Sequence, residues 1–113
     1  MDLGLKGKNT IITGGSGGIG RGLVLSFAEE GANVVIATRD GKKGKEVADA
    51  AKDFPGDVIV VPTDVTNEDA VEEMTAKAES TFGPLDVLVN NAGGVFYPKP
   101  FLEKSREDAE WEV

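Results

Sequence analysis

The chain has 113 residues, with 12 basic side chains against 20 acidic ones, for a net charge of −8. At this length it is one domain at most with a modest core, and its acidity argues against a general nucleic-acid or anionic-membrane surface. With neither cysteine nor histidine, a disulfide framework, a thiol nucleophile, an imidazole base and a Cys/His zinc site are excluded, and no metal is expected. The longest apolar runs are too short to cross a bilayer, and Met1-Asp2-Leu3-Gly4 is not a basic-then-apolar leader. The expectation is a soluble, cytoplasmic protein whose partners are small molecules or protein.

Asn9 to Thr13 reads as the first strand, and five of the seven residues from Gly14 to Gly20 are glycine. Glycine serves two ends in such a turn: it accepts positive φ, and without a Cβ it lets a ligand lie against the backbone. The free N–H groups and partial positive charge of the helix start that follows favour a phosphate. The stretch is therefore expected to be a pyrophosphate cradle, with the amides between Gly14 and Gly20 bared. Its spacing fits three nested glycine patterns, G-x-G-x-x-G, T-G-x-x-x-G-x-G and T-G-x-x-G-x-x-G. Taken alone, it also fits a flexible turn with no ligand.

Ile19 opens a helix with Ile19, Leu23 and Phe27 on one apolar face and Gly31 as its stop. Val34-Val35-Ile36-Ala37 is a continuous apolar run, which suits a strand covered on both faces. A second helix carries the stripe Val47, Ala51 and Phe54, broken by Pro55-Gly56 before the strand Val58 to Val61. A third opens on Thr66 with Asp69, a capping arrangement, shows Val71, Met74, Ala78 and Phe82 on one side, and ends at Gly83-Pro84. Leu85 to Val89 is a fourth strand and Asn90 to Pro100 a loop; after Ser105 an acidic, helical tail runs to Val113.

Strands alternating with helices give an α/β fold, a Rossmann-type doubly wound parallel sheet of which this is the first half, in strand order 3-2-1-4. In such sheets the residue reading the adenine ribose lies at the end of the second strand, about twenty residues past the glycine loop. Here that end is Ala37-Thr38-Arg39-Asp40. A guanidinium is planar, permanently charged and suited to a phosphate. Lys42, Lys43 and Lys45 fall in a first helical turn, where positive charge opposes the helix dipole. Thr38 and Arg39, helped by Lys42 or Lys43, read as a 2′-phosphate site that selects NADP(H). The alternative is NAD(H), with Asp40 on the ribose and the basic residues facing solvent.

Three ordered motifs resemble the N-terminal half of the short-chain dehydrogenase/reductase family. They are Thr13-Gly14-Gly15-Ser16-Gly17-Gly18-Ile19-Gly20, Asp64-Val65-Thr66, and Leu85-Asp86-Val87-Leu88-Val89-Asn90-Asn91-Ala92-Gly93. The N-N-A-G run points to the compact, single-domain type, and the similarity covers the chain from Gly7 onward. The resemblance implies cofactor contacts from Gly14, Ser16, Gly17, Gly18, Ile19 and Gly20 in the loop. It also implies that Asp64 bonds the adenine amino group and the Val65 backbone holds the same ring. Asn91, Ala92 and Gly93 would pass along the cofactor ribose, while Asn90 ties the sheet together. On the residues alone, Asp64 reads equally well as a turn cap.

The family transfers hydride with a serine and a Tyr-x-x-x-Lys pair. The single tyrosine here is Tyr97, and four positions on stands Phe101, not lysine. Ser105 has nothing nearby to activate it. The expectation is a cofactor-binding domain over 1–113, truncated before the catalytic half, with the catalytic residues beyond Val113 and no activity by itself. The parent would be an NADP(H)-dependent oxidoreductase acting on a carbonyl or secondary alcohol, with a 3-oxoacyl thioester as the favoured guess, and a homo-oligomer. Two alternatives stay open: a non-catalytic dinucleotide-binding sensor or scaffold, and an NAD-dependent member of the family using Asp40.

Overall fold

Seven elements follow one another in the computed structural model, which describes residues 4–14 and 18–91. They are β1 (Asn9–Thr13), α1 (Gly18–Glu29), β2 (Asn33–Thr38), α2 (Gly41–Ala50), β3 (Val58–Pro62), α3 (Glu68–Phe82) and β4 (Val87–Asn90). The strands form one parallel sheet in the order β3-β2-β1-β4, as the alternation of strands and helices predicts. Register places Ile11 beside Val35 and Leu88, and Val35 beside Ile59.

Because side chains alternate across a strand, each face of the sheet has its own core. Ile11, Val35 and Ala37, with Ile59, Val61 and Leu88, pack against Val71, Met74 and Ala78 of α3. Ile12, Val34 and Ile36, with Val58, Val60 and Val89, pack against Val24 of α1 and Val47 of α2. The unbroken apolar run of β2 has this cause: a central strand covered on both sides has no wet face to mark with polar residues.

Several boundaries differ from the sequence reading. In α1 the buried residues are Gly20, Val24 and Ala28, while Leu23 and Phe27 flank them half-buried and Ile19 is 77% exposed. The inward face is thus turned one residue from the expected stripe, because small residues let the helix lie close to the sheet. In α2 the stripe holds at Val47 and Ala51, but Ala51 is the C-cap and Phe54 lies beyond the helix end. α3 is capped by Asn67, whose Oδ1 accepts from the Ala70 N–H, and not by Thr66, whose hydroxyl is turned to Asp64. β4 begins at Val87, not Leu85, and includes Asn90. Leu85 is buried before the strand starts, and the Asp86 N–H donates to the Asn9 carbonyl.

A row of side-chain amides closes the end of the sheet where the strands begin. The Asp57 N–H donates to Asn33 Oδ1 (3.3 Å), and Asn33 Nδ2 donates to Asn9 Oδ1 (3.1 Å). Asn9 Nδ2 in turn donates to the carbonyls of Phe82 (2.9 Å) and Pro84 (3.0 Å). Gly56 enters the same end, its N–H donating to the Ala28 carbonyl at 2.9 Å.

Among the described residues, Thr10 Oγ1 is the buried side-chain polar atom without a hydrogen-bond partner, and Thr10 is fully enclosed in β1. Removing an unpaired buried hydroxyl while keeping the β-branched shape relieves a desolvation penalty. Thr10→Val is therefore expected to stabilise the fold by about 1 kcal/mol, read as an upward shift of the urea midpoint at constant m-value.

Candidate functional site

All four strands run the same way, so their C-terminal ends bring distant residues to one edge, where doubly wound sheets bind ligands. There lie Gly14 after β1, Thr38 and Arg39 at the end of β2, Asp64 after β3, and Asn90 and Asn91 at the end of β4. A cavity of about 530 Å³ lies at the opposite end, lined by Ala51, Lys52, Val58, Ile59 and Phe82 among others. None of the expected site residues reaches it.

Gly14 has φ +67° and Gly18 φ +56°, so both ends of the glycine turn are left-handed, a conformation that disfavours any residue with a Cβ. Gly15, Ser16 and Gly17 lie outside the described residues. The Gly14 N–H donates to the Ala37 carbonyl at 2.9 Å, which corrects the expectation that every amide from Gly14 onward is bared: this one continues the sheet. A Cβ added at Gly18 would meet nothing within 4 Å, so the space beside that residue is open. α1 starts at this point with no acidic side chain in its first turn. By contrast, Asp40 caps α2, and α3 has Asn67 as cap with Glu68 and Asp69 behind it. No acidic side chain of its own first turn therefore offsets the positive end of α1.

The end of β4 is tied to the turn. Thr13 Oγ1 accepts from the Asn91 N–H at 3.0 Å and lies 3.3 Å from Asn90 Oδ1, to which it can donate. Asn91 Nδ2 donates to the Gly14 carbonyl at 3.1 Å. The Thr13 hydroxyl thus joins β1 to β4 just before the first glycine, and the Asn90 side chain ties the sheet together as expected, although the residue stands in β4 and not in the loop the sequence reading gave it. Ala92 and Gly93 lie outside the described residues, as do Tyr97, Phe101 and Ser105.

Arg39 and Asp64 meet across the ends of β2 and β3. Arg39 Nη2 is 2.8 Å from Asp64 Oδ2, with the guanidinium side chain 72% exposed and the carboxylate 39%. Asp64 Oδ1 accepts from both the Thr66 N–H (3.0 Å) and the Thr66 hydroxyl (2.6 Å). The Arg39 bond, followed by those from Thr66, lowers the Asp64 carboxyl to about 2, and the same pair raises Arg39. The pair is therefore ionised throughout the neutral range.

Thr38 is buried, its hydroxyl accepting from the Asp40 N–H at 3.3 Å. Asp40 Oδ1 accepts from the Lys43 N–H at 3.0 Å. Val65 is half-buried beside Asp64. The two Thr66 bonds make Asp64 the turn cap that was one of its sequence readings; sequence reasoning missed the role of Thr66, which fixes the carboxylate, and that of Thr13 Oγ1, which fixes the glycine turn. The D-x-T spacing of Asp64 and Thr66 is the signal for the first, since an Asp side chain commonly accepts from the N–H two residues on. Among the described residues no helix is long and apolar enough to cross a membrane.

The family model described as short chain dehydrogenase matches residues 8–113. An uncharacterized oxidoreductase of Thermotoga maritima is 42% identical over 108 residues, which is 96% of this chain and 41% of that protein. Among solved structures, a metagenomic short-chain oxidoreductase in complex with NADP has 32% identity and a TM-score of 0.74, covering 79% of this chain and 40% of that one. A 7α-hydroxysteroid dehydrogenase complexed with NADH and 7-oxo glycochenodeoxycholic acid has 37% identity and a TM-score of 0.76, covering 80% of this chain and 35% of that one. The chain thus spans less than half the length of each of these relatives.

Proposed function

We propose, from the premise that the chain belongs to the short-chain dehydrogenase family, that it forms the dinucleotide-binding part of an NADP(H)-dependent oxidoreductase. The observation that carries this reading is the gathering of Gly14, Gly18, Arg39, Asp64 and Asn91 at one edge of the sheet. The open space beside Gly18 and the acid-free start of α1 support a phosphate-bearing ligand there.

In this reading the N-terminal end of α1, with Ser16, Gly17, Gly18, Ile19 and Gly20, holds the pyrophosphate. Gly14 shapes the turn through its positive φ; its own amide serves the sheet. Ile19, exposed to solvent, offers an apolar side chain to the ligand's face. Asp64 and Val65 hold the adenine, and Asn91, Ala92 and Gly93 border the ribose. Thr38 and Arg39 receive the 2′-phosphate, with Lys42 or Lys43 adding charge. Asp40 already caps α2 through the Lys43 N–H, which favours Arg39 over Asp40 as the reader of the ribose.

The bound dinucleotide supplies a hydride acceptor or donor, and the substrate is a carbonyl or secondary alcohol, with a 3-oxoacyl thioester the first class to assay. The serine and Tyr-x-x-x-Lys pair that would move the proton are not among these 113 residues. We assign the protein to the cytoplasm and its full-length form to a homo-oligomer. The test is a titration with NADPH and NADH, followed by quenching or calorimetry. NADPH is expected to bind more tightly, and Arg39→Ala to weaken NADPH about tenfold, the size of one lost charge-assisted contact, while leaving NADH within about twofold. Equal affinities, unchanged by the substitution, would remove the phosphate site.

A further inference from the structure

Asp64 and Arg39 have so far been given separate tasks, one on the adenine and one on the 2′-phosphate, yet they hold each other. Asp64 is fixed from behind: both bonds from Thr66 fall on Oδ1, which leaves Oδ2 turned toward the end of β2, where Arg39 Nη2 meets it at 2.8 Å. The carboxylate stands there because of its own turn, and Arg39, the more exposed partner, is the one that comes to it. The pair has no net charge. A phosphate approaching the guanidinium therefore meets a subsite whose positive charge is already matched, and it must sit beside a carboxylate.

We propose that Asp64 is a specificity-determining residue that restrains Arg39, so that the subsite discriminates only modestly between a 2′-phosphorylated and a plain adenosine ribose. The inference rests on the nucleotide site proposed above and concerns how that site chooses. A guanidinium has five N–H donors, so a phosphate can bind while Nη2 remains on Asp64. What Asp64 removes is freedom and field: the fork is held by one arm, and the attraction that brings in a dianion is offset within a few ångströms, well inside the screening length of about 10 Å at 0.1 M salt.

The substitution that tests this is Asp64→Asn. Its side-chain oxygen can still accept both Thr66 bonds, so the turn is kept, while its amide, a donor, no longer binds a guanidinium. The probes are adenosine 2′,5′-bisphosphate and adenosine 5′-monophosphate, titrated calorimetrically into the full chain at low salt. Both carry the same adenine and 5′-phosphate, so any change in the adenine contact cancels in the ratio of their affinities. Asp64→Asn is expected to raise that ratio about fivefold to tenfold, the size of one charge-assisted hydrogen bond released to the phosphate. Arg39→Ala should bring the ratio near unity, and in that background Asp64→Asn should raise it by no more than about twofold, the screened repulsion of an exposed carboxylate, because most of the effect of Asp64 acts through Arg39. A ratio unchanged or lowered by Asp64→Asn would overturn the proposal, and so would an equal rise in the Arg39→Ala background. Failure of the wild-type chain to bind either probe would remove the nucleotide site itself, and this inference with it. If circular dichroism shows Asp64→Asn unfolded, Asp64→Ser, which keeps an acceptor for Thr66, takes its place with the same expected outcomes.

Discussion

Gly56→Ala is expected to destabilise the fold by about 3 kcal/mol or more, enough to leave a marginal domain largely unfolded. A Cβ on Gly56 would fall 1.9 Å from the Ala32 carbonyl oxygen, 2.8 Å from its carbon and 3.1 Å from the Ala28 oxygen. These are backbone atoms at the end of α1 and the entry to β2, so no side chain can turn aside to make room. The Gly56 N–H also donates to Ala28 at 2.9 Å, so moving the turn away to relieve the clash would break that bond. Gly22→Ala is the control: this glycine is exposed within α1 and an added Cβ meets nothing within 4 Å. It should stabilise by about 0.5–1 kcal/mol through helix propensity alone. Urea unfolding followed by far-UV circular dichroism separates the two, and equal midpoints would show that the turn at Gly56 has room to shift.

The second large effect is expected at Asn9. Its Nδ2 satisfies the carbonyls of Phe82 and Pro84, and its Oδ1 accepts from Asn33, while the residue as a whole is 8% exposed. Asn9→Ala removes all three bonds and leaves their partners without them, at a cost of about 3 kcal/mol. Asn9→Asp is the sharper test. It keeps the shape and an acceptor for Asn33, but it sets a carboxylate against two carbonyl oxygens, near the Asp86 Oδ2 that accepts the Asn9 N–H. It should cost at least as much as alanine. If it were tolerated, the amide row would not be what secures the end of α3 to β1.

The succession of elements was legible in the sequence because it depends on runs and breaks that local chemistry enforces. The unbroken run from Val34 to Ala37 announced a strand covered on both faces, and the two-faced core around β2 is its physical counterpart. Gly83 announced the end of α3, where its φ is +99°. What failed was whatever a tertiary contact decides. Of the stripe Ile19, Leu23 and Phe27, the last two do pack against the core, but Ile19 faces solvent and α1 is buried deepest through Gly20, Val24 and Ala28, and apolar periodicity alone cannot weigh small residues against large ones. Thr66 looked like a cap and Asn67 took the role, because the Thr66 hydroxyl had a carboxylate two residues back to bind.

The same distinction governs the site. Glycine spacing, the Thr38-Arg39 strand end and the Asn90-Asn91 pair could be read directly, since each is local. That the Gly14 amide belongs to β2, or that Arg39 and Asp64 are partners, could not be read, because each joins segments more than twenty residues apart. Only the register of the sheet brings them together.

The two ends of this sheet have divided their tasks. Where the strands begin, Asn9, Asn33 and Gly56 lock the helices and strands into place; where they finish, Arg39 stands largely in solvent beside a half-buried Asp64, and neither bears any part of that lock. If the proposed nucleotide site is right, choice of ligand can be rewritten at one pole without loosening the other. A designer altering cofactor preference would work at the exposed rim, and would find the anchorage of the domain some fifteen to twenty ångströms away, the length of a strand of about five residues.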